Sequence, residues 1–285
     1  MTGVTIMNTS YSFGKINLMK NIISVFAILI SGCTSPADPY TYREEIVVKA
    51  ALYVGEGIDS IKISKTVPLD QAYDIQSAGV TNAVVEIQSG TGEITALSPV
   101  HGKPGTYSDS LFIIKPNTTY FLTVNVPGFE KITGKTTTPD VFTQLTQNKN
   151  NFSFSADALN KDSLVVSWNE VANNNFYLVS TTYIGPDSSA IEISKENDDE
   201  PGTKEDQKTR SIYTKQTRFR AVGFFHKYYG SFRMTVTAMD INLFNYSNTQ
   251  FQDKRELNEP TFSVKNAIGY FASGSRKKVY YEVLK

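Results

Sequence analysis

The chain has 285 residues, enough for one or two domains with cores of their own. Lys+Arg and Asp+Glu both count 28, so the formal charge is zero, and the basic excess that marks a nucleic-acid binder is missing. Aromatics make up 12%, with 16 Tyr and 17 Phe beside frequent Val, Ile and Thr, which points to an all-β body, and the single cysteine excludes a disulfide framework.

Met19-Lys20 leads an apolar run from Asn21 to Ile30 that closes on Ser31, Gly32 and Cys33. A basic start, small residues at the end and an apolar core well short of the roughly 20 residues of a spanning helix describe a secretory signal peptide. Leu29-Ile30-Ser31-Gly32-Cys33 resembles the bacterial lipobox, in which cleavage precedes a cysteine that has received diacylglycerol. The resemblance implies a signal peptide over 1–32, with Met19 as the simpler start, and lipidation at Cys33. Two or three acyl chains, at about 0.8 kcal/mol per buried methylene, hold a body on a bilayer without spanning it. Thr34 to Arg43 carries Pro36 and Pro39 among short polar residues, so 33–43 reads as lipidated cysteine and tether. Thr34 is not the aspartate that retains enterobacterial lipoproteins at the inner membrane, which favours the outer one.

From Ile46 to Val54 the run is nearly continuously apolar, as in a strand covered on both faces. Ile61 and Ile63 alternate with polar residues after a Gly55-Glu56-Gly57 turn, and Ala83, Val85 and Ile87 alternate before Ser89-Gly90-Thr91-Gly92. Ile94 to Leu97 follows, then Tyr107, then Thr119 to Val126 and Lys131 to Thr138. Short strands with turn signals every 8 to 12 residues predict an immunoglobulin-like sandwich over 44–140. Gly105-Thr106-Tyr107, Tyr120 to Val124 and Gly128-Phe129 also resemble transthyretin-like sandwiches.

Pro139 to Asn151 is polar and marks the expected domain boundary. Leu164, Val166 and Trp168 alternate in one strand, Phe176 to Thr182 makes the next, and Phe232, Met234, Val236 and Ala238 a later one. A lone tryptophan on an early strand followed by a Tyr-bearing one resembles the opening of a fibronectin type III domain, assigned here to 141–285. Lys195 to Arg210 is charged and predicts a mobile loop. Past Asp240 the pattern weakens; Gln250 to Glu259 reads as a short helix and Val279 to Leu284 as the closing strand.

The run Met234 to Asp240, then Leu243, Tyr246, Glu259-Pro260, Asn266, Gly269, Tyr270 and Phe271, is similar to the C-terminal half of the Bacteroidota lipoproteins grouped as domain of unknown function 4249. Ile46-Val47-Val48, Ala83-Val84-Val85 and Gly105-Thr106-Tyr107 match its N-terminal half. Ala267-Ile268 stand where the family has a more glycine-rich run. The resemblance implies an outer-membrane lipoprotein encoded beside TonB-dependent receptors, with an accessory or ligand-capturing role in uptake.

Catalytic patterns are sparse. His101 sits in a Gly-Pro turn and His226 in an aromatic run, both read as surface histidines satisfied by solvent, and no nucleophile elbow, His-Glu-x-x-His pair or phosphate loop occurs. Asp198, Asp199 and Glu200, or Asp240 with Asn242, offer oxygen ligands without the spacing of a calcium loop, so a solvated loop and a turn-capping Asp are expected, with no metal or cofactor. Phe219, Phe224, Phe225, Tyr228 and Tyr229 are candidate ligand-binding aromatics, half core by the bland reading. Asp59-Ser60-Ile61, Asp109-Ser110-Leu111 and Asp162-Ser163-Leu164 resemble the acceptor sequon of periplasmic O-glycosylation in Bacteroidota, which makes Ser60, Ser110 and Ser163 candidate acceptors. The expected function is therefore a non-enzymatic outer-membrane lipoprotein that partners a TonB-dependent transporter. A structural or adhesive surface protein is the alternative, and a lipid-anchored hydrolase the second.

Overall fold

Period-two alternation, with apolar residues on one face and polar ones on the other, sets most of the strands. The computed structural model describes residues 42–153, 162–174, 176–186, 191–192, 208–222, 225–251 and 261–285. In chain order come β1 (Ile46–Tyr53), β2 (Ile58–Lys65), α1 (Ile75–Ala78), β3 (Val84–Ser89), β4 (Ile94–Ala96), β5 (Ser98–Pro99) and β6 (Thr106–Asp109). They continue with β7 (Thr119–Asn125), β8 (Ile132–Thr137), β9 (Leu145–Gln147), β10 (Asn151–Ser153), β11 (Leu164–Trp168) and β12 (Phe176–Tyr183). The last are β13 (Ile191–Glu192), β14 (Thr209–Thr214), β15 (Arg218–Ala221), β16 (Tyr228–Met239), α2 (Ile241–Phe251), β17 (Val264–Lys265) and β18 (Ile268–Leu284). The body is all-β and built as a sandwich.

The largest sheet runs β14-β12-β16-β18-β1-β2-β6-β5, with β10 also paired to β18 and β13 to β16. Its centre is β18, which pairs antiparallel with β16 and, in its first half, parallel with β1. Two smaller sheets, β17-β8-β7-β3-β4 and β15-β11-β9, complete the strands among the described residues. Phe271 near the start of β18 lies in a core with Val48, Ala50, Ile63, Ile87, Leu122 and Val124. Tyr281 and Val283 near its end lie in a second core with Leu164, Val166, Trp168, Val179 and Met234. These β18 residues share one parity, so both cores sit against the same face of the large sheet.

The chain after residue 141 thus serves both cores, because Val264 and Phe271 belong to the first. Glu44–Lys285 forms one compact unit. A parallel pair such as β1 with β18 needs a long crossover, and here that crossover is most of the chain.

Several expectations shift. The closing strand begins at Ile268 rather than Val279, and a helix occupies Ile241–Phe251 instead of starting at Gln250. Residues 252–259 of the expected helix lie outside the described residues, as do 195–207 of the charged loop, whose Thr209 and Arg210 belong to β14. β1 is not covered on both faces: Ile46, Val48, Ala50 and Leu52 are buried, while Lys49 is exposed and Val47, Ala51 and Tyr53 are half-buried. That open face carries the site described next.

Candidate functional site

The outward face of β1 forms the floor of an open groove of about 280 Å³, lined by Lys49, Ala51, Tyr53, Asp59, Lys62, Tyr270 and Arg276 among others. Cross-strand register places the walls. Lys49 pairs with Tyr270 of β18 on one side and with Lys62 of β2 on the other, so all three project from the same face. Ala51 leaves room between these residues and Tyr53. The irregular register between Ile58 and Ile61 turns Asp59 and Ser60 outward at the rim.

Two tyrosines stiffen the walls. Tyr270 packs its ring on Tyr246 of α2 at 4.0 Å between centroids, and burial together with the nearby Tyr246 and Tyr53 pushes its phenol up to about 12. The Arg276 guanidinium lies 3.9 Å over the Tyr53 ring and forms a two-pronged ion pair with Glu56. That pair draws the Glu56 carboxyl below its ordinary range, and burial pushes the Tyr53 phenol up. The groove therefore presents phenols held in their neutral form, two lysine side chains and an oriented guanidinium. Such groups hold and orient a polar ligand.

On the inward side, a buried polar centre ties β8, α2 and β18 together. Asp240 caps α2 by accepting from the Leu243 N–H at 2.8 Å, and accepts from the Ser273 N–H at 3.1 Å and the Thr136 hydroxyl at 2.6 Å. Burial pushes its carboxyl up, against the opposing pull of those hydrogen bonds. Asn242, rather than lying free beside it, donates to the carbonyls of Lys135 and Phe271.

His226 departs from the surface position expected for it. It is only 4% exposed, with Phe152, Phe232 and Tyr281 around its ring. Its Nε2 lies 2.6 Å from the Tyr281 hydroxyl and its Nδ1 3.1 Å from the Val222 carbonyl, a geometry met by Nδ1–H donating and Nε2 accepting. Its partners on both ring nitrogens, Tyr281 and the Val222 carbonyl, make a buried imidazole tolerable. His101 lies exposed in its turn.

Of the candidate aromatics, Tyr228 is buried among Tyr183 and the second core, Tyr229 packs partly against that core, and Phe225 meets Phe219 edge-on at 5.3 Å. Phe224, Cys33 and Asp198 to Glu200 lie outside the described residues. Ser60 and Ser110 are exposed, whereas the Ser163 hydroxyl accepts from Arg220 and is half-buried. Asp109 folds the segment after it into a turn, accepting from the Leu111 and Phe112 N–H groups, so Ser110 and the 89% exposed Leu111 stand out from the surface. The groove residues were not singled out from sequence. Lys49 inside an apolar strand was the visible hint.

Fold and site together define an all-β sandwich protein with a small aromatic and cationic groove on its open sheet face. The family model described as domain of unknown function (DUF4249) matches residues 35–279, and the chain belongs to that family. Comparison with curated proteins gives no match. Among solved structures, a two-domain fibronectin type III segment of chicken tenascin aligns at 11% identity over 84% of this chain and 97% of that one, with a TM-score of 0.24.

Proposed function

We propose that this chain is a non-enzymatic lipoprotein of the bacterial outer membrane, anchored through Cys33, that captures a small ligand for a TonB-dependent transporter. The observation that carries the reading is the groove, which gathers donors, cations and ring faces of the kind that hold a ligand. The lipobox-like Leu29 to Cys33 supports the anchor, and the family resemblance to Bacteroidota lipoproteins supports the transporter partner.

Purification of the native protein from detergent-solubilised outer membranes is expected to bring a receptor barrel with it. Cys33→Ala is expected to abolish incorporation of labelled fatty acid and to move the protein out of the membrane fraction. Recovery of the lipoprotein alone would point to the adhesive or structural role instead. The same native preparation tests the sequons: intact mass is expected to exceed the lipidated polypeptide, with the excess reduced in Ser110→Ala and Ser60→Ala, the two exposed acceptors.

A further inference from the structure

We propose that the groove over β1 takes a small cyclic carboxylate, a uronic-acid sugar being the case that suits its tyrosines, with Lys49 and Lys62 holding the acid. The proposal deepens the ligand-capturing reading and rests on it. Lys49 and Lys62 are direct partners across the β1–β2 ladder, both exposed on one face. Their Cβ atoms therefore stand roughly 4.5–5.5 Å apart, and like charges so placed weaken the pairing of the strands.

The surrounding charges do not relieve this repulsion. Lys65, on the same strand, has Glu44 at 2.8 Å, and Arg276 has Glu56. Asp59, the one acid lining the groove, acts on Arg276. Lys49 and Lys62 have no ion-pair partner among the described residues. Two adjacent ammoniums, left unmatched inside a groove that also offers the Tyr270 phenol, suit an anion that bridges them.

Shape limits the rest of the ligand. The groove, at about 280 Å³, lies at the small end of ligand sites, which fits one or two rings. Tyr53 and Tyr270 both line the groove, and each ring is held by a packed neighbour, Tyr53 by the Arg276 guanidinium over its face and Tyr270 by Tyr246. A sugar or aromatic ring laid between them loses little ordering entropy from the protein, since the walls are already in place.

Titration calorimetry on the full-length protein in detergent, at low salt, tests this with three probes: digalacturonic acid, its neutral methyl ester and benzoate. Digalacturonate is expected to bind at least about tenfold more tightly than the ester, with the preference shrinking as salt rises. Benzoate binding as well, or alone, also supports the carboxylate assignment and says which ring the walls accept. Lys62→Thr and Lys49→Thr are each expected to lose about tenfold in affinity while raising the thermal midpoint, a pairing that mere loss of structure would not produce. Equal binding of acid and ester, or acid binding that survives the double lysine variant, would overturn the proposal. So would no binding of any probe, and co-purification of a receptor barrel would then show that the broader reading still stands.

Discussion

Gly269→Ala is expected to destabilise the protein by about 3 kcal/mol or more, the largest effect expected of alanine at any of the described glycines. Two causes act together. Gly269 has φ +114, a backbone conformation that L side chains rarely adopt, and a Cβ built there would overlap the Val48 carbonyl oxygen on the neighbouring strand. Val48 is its partner in the parallel β1–β18 ladder, so the overlap can be relieved only by opening the ladder that joins the first strand to the last. Phe271, two residues on and fully buried in the first core, would be displaced with it.

Gly102→Ala is the matched control, because Gly102 has φ +73 with nothing within 4 Å of its added Cβ, and strain alone should cost about 1–2 kcal/mol. Urea unfolding of both variants separates strain from collision. Equal midpoints would mean that β1 and β18 do not pair as described.

Asp240→Ala is expected to cost about 3 kcal/mol, and Asp240→Asn distinctly less. Removing the carboxylate orphans the Leu243 and Ser273 N–H groups and the Thr136 hydroxyl, all in buried surroundings, and strips α2 of its cap. An asparagine carbonyl keeps both N–H bonds, and its amide can donate to Thr136 Oγ1 in place of the present acceptor.

The two variants also differ in their dependence on pH. Burial raises the Asp240 carboxyl above its ordinary 3.8, so the folded protein keeps this proton to a higher pH than the unfolded chain does. The folded state then binds more protons, and the stability from this group is complete below 3.8 and declines as pH rises through the raised folded value. Glu56, Asp109 and Asp162 are shifted downward, so their contributions run the opposite way, being lost as pH falls below the ordinary carboxylate range. The difference between wild type and Asp240→Asn isolates the one slope. Guanidinium unfolding from pH 3 to 7 is expected to show wild type losing ground to Asp240→Asn as pH increases, and a constant difference would mean that the carboxyl is not held up by burial.

Strands whose two faces meet different surroundings were legible in advance. Leu164 to Trp168 matches β11, and Thr119 to Val126 differs from β7 by one residue, because a core on one side and solvent on the other imprint an alternation that short windows record. β18 was legible only at its end. From Phe271 to Ser275 it is buried on both faces, and Ser273, Gly274 and Ser275 are small and polar, the composition of a turn when read locally. Asp240, expected to cap a turn, caps a helix, and that helix begins at Ile241 rather than at Gln250.

The β class and the family could be read from residues adjacent in the chain, because alternation and short motifs are local chemistry. The groove could not. The β1–β2 hairpin sets Lys62 beside Lys49, but Tyr270 joins their row only because the last strand returns to lie parallel beside the first, and a pairing across some 220 residues leaves no mark on either segment's own pattern.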